Sequence, residues 1–117
     1  MHDVTEGGVA TAIAELAAAG GCELRVDLEA IPVRPETRRL CRLLGLDPLG
    51  LIGSGSLLIA CRPGRAPRVE RAIRHAGIEV TRIGEAVGKG AAVRGFRRGR
   101  PVPWPRFAVD EIARLFA

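Results

Sequence analysis

The hydrophobic repeat of the chain changes abruptly across Gly20 and Gly21. Before these glycines, residues 9–19 place Val9, Ile13 and Leu16 on one face at helical spacing. After them, residues 22–29 alternate strictly between apolar and charged side chains, which is the repeat of a strand with one buried face. A helix and a strand that each carry one apolar face are stable when these faces pack together. We therefore expect a helix lying on a sheet.

The next part of the chain predicts another helix and another strand. Pro35 suits the first turn of a helix that runs through Leu44 and ends at Gly45. Residues 47–48 then begin a short turn or a single helical turn. Residues 56–61 form a continuous apolar run, which is typical of a central strand covered on both faces.

The remaining segments complete the fold. A third helix is expected from about Pro67 to Gly77, with Val69, Ala72, Ile73 and Ala76 facing inward. Residues 78–87 and 91–98 read as two strands joined by a turn at 88–90. Residues 101–105 contain three prolines and are not expected to form regular structure. A short amphipathic helix is expected at 109–116.

These elements predict an α+β fold in which a mixed, mostly antiparallel sheet of about four strands is flanked by helices. A chain of 117 residues can bury a core of its own, and we find neither an internal repeat nor a second domain. Residues 1–117 are therefore expected to form a single domain.

Composition bears on the cellular compartment of the protein and on whether its cysteines form a zinc or redox site. No apolar run approaches the ~20 residues that span a bilayer, and an acid at position 3 does not suit a signal peptide, so we expect a cytoplasmic protein. Cys22, Cys41 and Cys61 lie far apart among apolar neighbours, and both histidines are isolated. Buried thiols are therefore favoured over a zinc or redox site.

The net charge of +5 and the isoelectric point near 10.4 raise the question of a nucleic-acid partner. The densest basic cluster has aromatic residues interleaved and consists of Arg94, Phe96, Arg97, Arg98, Arg100, Trp104 and Arg106. Such a cluster suits a phosphate-bearing partner. The basic residues are otherwise scattered, so a solvated strand end and loop is favoured.

Three glycine-bearing segments are candidates for a phosphate-binding loop. Residues 84–90 end in Gly-Lys-Gly but lack the Ser or Thr that follows lysine in a P-loop. Residues 53–55 lead into a strand rather than a helix and lack the third glycine of a dinucleotide fingerprint. The segment that remains, residues 3–8, has two acids, a threonine and two glycines directly before a helix. These are the parts of a metal-phosphate site, although an ordinary capped helix start accounts for them equally well.

Several stretches together resemble the C-terminal domain of the aminoimidazole ribonucleotide (AIR) synthetase-like, or PurM-like, superfamily. They are His2-Asp3-Val4-Thr5-Glu6-Gly7-Gly8-Val9-Ala10-Thr11-Ala12, Ile31-Pro32-Val33-Arg34, Leu43-Leu44-Gly45-Leu46-Asp47-Pro48-Leu49 and Leu57-Leu58-Ile59-Ala60. Within the superfamily, the sequence is most similar to HypE-type hydrogenase maturation factors and their uncharacterised relatives.

The resemblance implies one half of an ATP-dependent phosphoryl-transfer enzyme. In this family an N-terminal domain, which is missing here, mediates dimerisation, and ATP with Mg²⁺ lies in the cleft between the two domains. The family pattern makes Asp3 a magnesium ligand and Glu6 a second acid in some relatives. It places Thr5 near the ATP phosphates, and Gly7 and Gly8 where the helix start approaches the ligand. Alone, the chain is expected to be inactive.

Two departures from the family limit what can be carried over. HypE proteins end in a cysteine that accepts a carbamoyl group, whereas this sequence ends Arg114-Leu115-Phe116-Ala117, so carbamoyl dehydration at its own tail is not expected. Residues 52–55 also lack the asparagine and acid of many relatives, so no substrate contacts are assigned there, and the phosphoryl acceptor is not identified. The alternatives are a small α/β interaction or regulatory module and a basic nucleic-acid-binding domain.

Overall fold

A computed structural model describes residues 1–116 of the chain. The strands are β1 His2–Asp3, β2 Cys22–Asp27, β3 Leu57–Leu58, β4 Gly84–Lys89, β5 Val93–Arg97 and β6 Arg100–Val102. The helices are α1 Gly8–Gly20, α2 Pro35–Leu44 and α3 Ala66–His75. Single 3₁₀ segments lie at Pro48–Gly50, Pro63–Arg65 and Glu111–Leu115.

The main sheet has four strands in the order β4-β2-β5-β6. Strand β2 runs antiparallel to β4 and parallel to β5, and β5 runs antiparallel to β6. The expected α+β fold with a mixed, mostly antiparallel sheet is therefore confirmed. A separate two-stranded ribbon pairs β1 with β3.

The core forms where α1 packs against one face of the main sheet. Ala10 and Ile13 of α1 meet Val26 and Leu28, and the cluster also includes Ile31 and Leu49. Ile13 is only 2% exposed and is the largest fully buried side chain among the described residues. The helix before Gly20 and the strand after Gly21 thus pack together, as the sequence predicts.

Helices α1 and α2 end at the glycines that the sequence predicts, and α2 begins at the predicted proline. Gly21 closes α1 in the left-handed conformation at φ 63°, and its N–H donates to the carbonyls at the helix end. Helix α2 runs from Pro35 to Leu44 as expected, and Gly45 ends it at φ 68°. The single helical turn expected after Asp47 is the 3₁₀ segment Pro48–Gly50, whose start is capped by the Asp47 side chain.

The prediction of a central strand at residues 56–61 is wrong. Only Leu57 and Leu58 form a strand, and it pairs with β1 outside the main sheet. Leu57 is 53% exposed and Ile59 is 39% exposed. A run of apolar residues becomes a two-sided core strand only where layers cover both of its faces, and residues 1–116 provide no such layers here.

Helix α3 is present, but its expected inward face is not buried. Val69 and Ile73 are partly exposed, whereas Ala72 and Ala76 are exposed. The periodicity therefore predicted the helix correctly, while the burial that normally accompanies it is incomplete.

The strands between residues 78 and 102 differ from expectation in three ways. Strand β4 begins only at Gly84, and it does not pair with β5, because β2 lies between them. Residues 100–102 form strand β6 even though Pro101 is one of them. Proline is tolerated there because β6 lies at the edge of the sheet, where one side of the strand needs no donors.

The expected C-terminal α-helix is a shorter 3₁₀ segment, and the side chain that it buries most deeply is acidic. Glu111 is 6% exposed, whereas Ile112 and Leu115 are both exposed. Within residues 1–116, no helix is both long enough and apolar enough to cross a membrane.

Candidate functional site

Residues 3–8, which we call the site segment, connect β1 to α1. Asp3 lies opposite Leu57 in the ribbon, and the Val4 N–H donates to the Ser56 carbonyl at 3.1 Å. The Val4 side chain is buried, and it packs so closely on Gly53 that a Cβ there would lie 2.6 Å from Val4 Cγ1. The start of the site segment is therefore fixed by backbone pairing and by one apolar side chain.

The polar side chains of the site segment face solvent. Thr5 and Glu6 are exposed, and the Asp3 side chain is 77% exposed. Gly7 and Gly8, in contrast, are buried. All five residues predicted for the site thus lie in the connection between β1 and α1. The carboxylates of Asp3 and Glu6 and the hydroxyl of Thr5 are accessible to solvent there.

The backbone conformation of both glycines, and the close packing of Gly8, explain why these positions carry no side chain. Gly7 and Gly8 both adopt positive φ, at 82° and 70°, and the Gly8 N–H donates to the Thr5 carbonyl at 3.1 Å. A Cβ on Gly8 would collide with the backbone of Leu49 and Gly50. Gly8 is therefore needed where α1 approaches the 3₁₀ segment Pro48–Gly50.

The N-terminus of α1 is capped by a residue from the far end of the chain. The Gly7 N–H donates to Asp110 Oδ2 at 2.8 Å, and Asp110 Oδ1 accepts from the Ile112 N–H at 3.0 Å. A carboxylate at a helix N-terminus is favoured by the helix dipole. Sequence reasoning missed this residue: an aspartate before a helical segment signals an N-cap, but it does not reveal a second helix as its partner.

Two further residues of the tail attach it to the same region. The buried carboxylate of Glu111 accepts from the Asp47 N–H at 2.8 Å and pairs with Arg114 Nη1 at 3.0 Å. Arg114 Nη1 also lies 3.1 Å from the Gly45 carbonyl. Asp110, Glu111 and Arg114 thus join the tail to two earlier parts of the chain, the site segment and the connection at residues 45–47.

His2, directly before the site segment, connects it to α1. Its Nε2 lies 2.7 Å from Glu15 Oε2 on α1, and its Nδ1 lies 2.6 Å from the Asp3 carbonyl oxygen. Sequence reasoning treated this histidine as isolated. The structure instead shows that it links β1 to the helix that follows the site segment.

The arrangement suits a metal that is shared with a phosphate rather than a closed protein cage. Among residues 1–116, no three His, Cys, Asp or Glu side chains are grouped so that they could hold a metal alone. Mg²⁺ is commonly bound by one or two carboxylates together with substrate phosphates. Asp3 and Glu6 supply carboxylates of this kind, so the chemistry of these two side chains is compatible with Mg²⁺.

The basic cluster is partly neutralised, and its aromatic residues are engaged. Arg94 pairs with Glu23, and Arg98 Nε lies 3.7 Å from Glu29 Oε1. The Trp104 Nε1–H donates to the Ala10 carbonyl at 3.0 Å, so this ring belongs to the core rather than to a stacking surface. Arg25 covers the Phe96 ring at 4.1 Å. These contacts support a solvated strand end and loop over a nucleic-acid surface.

The thiols differ from one another more than expected. Cys41 is buried, Cys22 is partly exposed and Cys61 is exposed, so the expectation of buried thiols is correct for Cys41 alone. Burial raises the pKa of the Cys41 thiol, and the nearby carboxylates of Asp47 and Glu111 raise it further. Cys61 is the last residue of the apolar run 56–61, which the structure leaves largely uncovered.

Comparison with known proteins identifies the class. Residues 1–95 match the family described as AIR synthase related protein, C-terminal domain, and the chain belongs to this family. Within it, the chain is similar to carbamoyl dehydratase HypE of Rhizobium leguminosarum bv. viciae, with 39% identity over 111 residues that cover 89% of the chain and 31% of that protein. HypE of Escherichia coli (strain K12) is 39% identical over 89 residues, covering 74% of the chain and 26% of that protein.

Solved structures of HypE are also similar to this chain. The crystal structure of E. coli HypE superposes with a TM-score of 0.82 at 34% identity, covering 97% of this chain and 36% of the other. The structure of hydrogenase maturation protein HypE in complex with ATP gives a TM-score of 0.80 at 28% identity, covering 90% of this chain and 34% of the other. The chain therefore spans about a third of the length of its relatives.

Proposed function

We propose that the chain is the C-terminal domain of an ATP-dependent, HypE-like enzyme and that it contributes contacts to Mg-ATP and to substrate in a cleft shared with an N-terminal domain. The observation that carries this proposal is the site segment. Its accessible Asp3, Thr5 and Glu6 lie at the start of α1, within the residues that match the family.

Each residue of the site segment has a proposed role. The carboxylates of Asp3 and Glu6 bind Mg²⁺, and the Thr5 hydroxyl donates to an ATP phosphate. Gly7 and Gly8 place the positive end of α1 close to the phosphates, where its dipole favours negative charge. When it is bound, Mg²⁺ neutralises charge on the phosphates. Phosphoryl transfer depends mainly on such positioning and charge neutralisation, so these contributions are sufficient for one half of a site.

The remaining parts of the site would come from a partner domain. The relatives are about three times as long as this chain, and the matched family is a C-terminal domain. In the proposal, an N-terminal AIR synthase-like domain supplies most ATP contacts and the dimer interface, and the chain alone turns over no ATP. A carbamoyl-type or other small-molecule substrate is proposed from the naming of the relatives as carbamoyl dehydratases.

Asp3→Ala in the complete protein tests this proposal. Loss of a magnesium ligand should lower Mg²⁺-dependent ATP turnover by about 100-fold or more, the size of effect seen when one electrostatic contact to a transition state is removed. The measurement is steady-state phosphate release over a range of Mg²⁺ concentrations. Asp3→Asn should show a clear loss as well, because a neutral amide lacks the charge with which a carboxylate holds Mg²⁺.

Glu79→Ala is the matched control, because Glu79 is also an exposed acid but lies outside the site segment. Its turnover should equal that of the unmodified protein. Unchanged turnover in Asp3→Ala would remove Asp3 from the mechanism and favour a helix-capping role for the segment.

A further inference from the structure

The turn that joins the site segment to α1 is held locally by one backbone hydrogen bond, from the Gly8 N–H to the Thr5 carbonyl, and no side chain of the turn caps it. Gly7 and Gly8 follow one another with positive φ, and glycine populates both signs of φ with similar ease. The Gly7 cap residue provides no side-chain hydrogen bond, and the first turn of α1 contains no acid. The two glycines themselves therefore restrict this turn little.

The side-chain constraint on this turn comes from Asp110. One oxygen of its carboxylate accepts from the Gly7 N–H, and the other accepts from the Ile112 N–H. The same carboxylate therefore caps both α1 and the 3₁₀ segment Glu111–Leu115. Because it sits 103 residues beyond Gly7 in sequence, it ties the site segment to the end of the described chain.

Asp110 is itself held in place by its neighbours. The adjacent Glu111 is bound to the Asp47 N–H and to Arg114. The tail also packs closely on the 3₁₀ segment Pro48–Gly50, since a Cβ on Gly50 would lie 2.6 Å from the Phe107 ring and 2.7 Å from Glu111 Cγ. The carboxylate that meets Gly7 is thus presented by a packed tail.

We propose that Asp110 is a positioning residue for the site segment. By holding the Gly7 N–H, its carboxylate fixes the turn from which Thr5 and Glu6 project and so presents them in one arrangement to Mg-ATP. This inference rests on the proposed function of the segment. It adds that affinity for Mg-ATP depends on a residue which itself touches neither the metal nor the nucleotide.

The test compares Asp110→Ala and Asp110→Asn in the complete protein. Mg-ATP affinity is measured by titration calorimetry, and the order of the Gly7 amide by ¹⁵N relaxation. Asp110→Ala should weaken Mg-ATP binding by about 10-fold or more, in the range seen when groups that orient metal ligands are removed, and should increase motion at Gly7. Asp110→Asn keeps one acceptor oxygen instead of two, so it can hold the Gly7 N–H only by giving up the bond to the Ile112 N–H, and it should recover part of the affinity.

Two controls separate positioning from stability and from charge. Trp104→Phe removes the hydrogen bond to the Ala10 carbonyl on the same helix, so it should lower the midpoint of thermal unfolding without changing Mg-ATP affinity. Asp27→Asn alters a carboxylate that accepts the Glu29 N–H at 3.0 Å, a bond of the same kind elsewhere, and it should leave affinity unchanged.

Each result has a distinct meaning. Equal affinity in Asp110→Ala and the unmodified protein would overturn the positioning role while leaving the proposed function intact. Tighter binding by Asp110→Ala would also overturn it, because the carboxylate would then be competing with phosphate for the helix start. An unmodified protein that does not bind Mg-ATP would overturn the proposed function, and with it this role of Asp110.

Discussion

Two regions of the molecule bury similar apolar patterns to very different extents. In the packed region, formed by α1, β2 and the 3₁₀ segment Pro48–Gly50, Ala10, Ile13 and Val26 are almost inaccessible to solvent. In the open region, which spans residues 57–83, Leu57 is 53% exposed, Ile59 39% and Ile78 60%, although Leu58 and Ile83 pack against the core. Both regions nevertheless have the apolar content of core elements.

The difference shows what burial requires besides an apolar pattern. Helix α1 lies on the main sheet, whereas α3 has its principal contact with the 3₁₀ segment Pro63–Arg65 directly before it. The free energy of burial is gained only where a second surface removes the same side chains from water. The packed region should therefore carry most of the stability, and the open region should tolerate substitution.

The largest contrast is expected from Ile13→Ala and Ile73→Ala, which truncate the same residue type in the two regions. Ile13→Ala should lower the free energy of unfolding by about 4 kcal/mol, because a fully buried side chain is replaced by a cavity. Ile73→Ala should cost about 1 kcal/mol, because the side chain is already partly in water. Urea denaturation followed by circular dichroism measures both, and similar losses would show that the open region is buried in solution.

A somewhat smaller contrast is expected from Gly8→Ala and Gly77→Ala. Both glycines have positive φ, at 70° and 79°, so an alanine is strained at either position. At Gly8 the new Cβ also meets the backbone of Leu49 and Gly50, whereas at Gly77 it meets nothing within 4 Å. We expect a loss of about 3 kcal/mol at Gly8 and about 1 kcal/mol at Gly77.

Thermal unfolding of these two glycine variants measures the difference. Since the backbone strain is nearly the same in both, the excess loss at Gly8 reports the close approach of α1 to the Pro48–Gly50 segment. Equal losses would mean that α1 and the Pro48–Gly50 segment lie farther apart in solution, with room for the added Cβ.

The smallest perturbation is chemical labelling of the thiols, which leaves the sequence unchanged. At pH 8, Cys61 in the open region should react first with a thiol reagent, followed by Cys22, and Cys41 should react only as fast as the protein unfolds. The raised pKa of Cys41 acts in the same direction, because it keeps the thiol in its protonated, unreactive form. Mass spectrometry of digested, time-quenched samples gives the order, and early labelling of Cys41 would contradict the packed region as described.

Local signals account for the parts of the fold that the sequence predicts well. The glycine after α1, the proline that opens α2 and the alternation of β2 each act within a few residues, so they are readable without knowledge of the partner surfaces. The candidate site is also local, since residues 3–8 are contiguous. Family membership is confirmed, whereas the roles of Asp3, Thr5, Glu6, Gly7 and Gly8 remain proposals.

The parts that were mispredicted depend on neighbours distant in sequence. Residues 56–61 have the composition of a central strand, but strand position is set by which segments pair beside it. Pro101 argues against regular structure until β6 is known to lie at an edge. Asp110 falls inside the helix expected at 109–116, and its bond to Gly7 spans 103 residues and leaves no local trace.

The sequence by itself determined where the chain turns helical, where it alternates as a strand, and that acids, a hydroxyl and two glycines precede α1. These properties follow from backbone preferences and from side-chain periodicity, which act over a few residues. Only the tertiary structure decided which apolar faces are covered, why Gly8 cannot carry a side chain, and that Asp110 caps the site segment. Those features depend on surfaces meeting across the fold, and the burial and hydrogen bonding that they create exist only when both partners are in place.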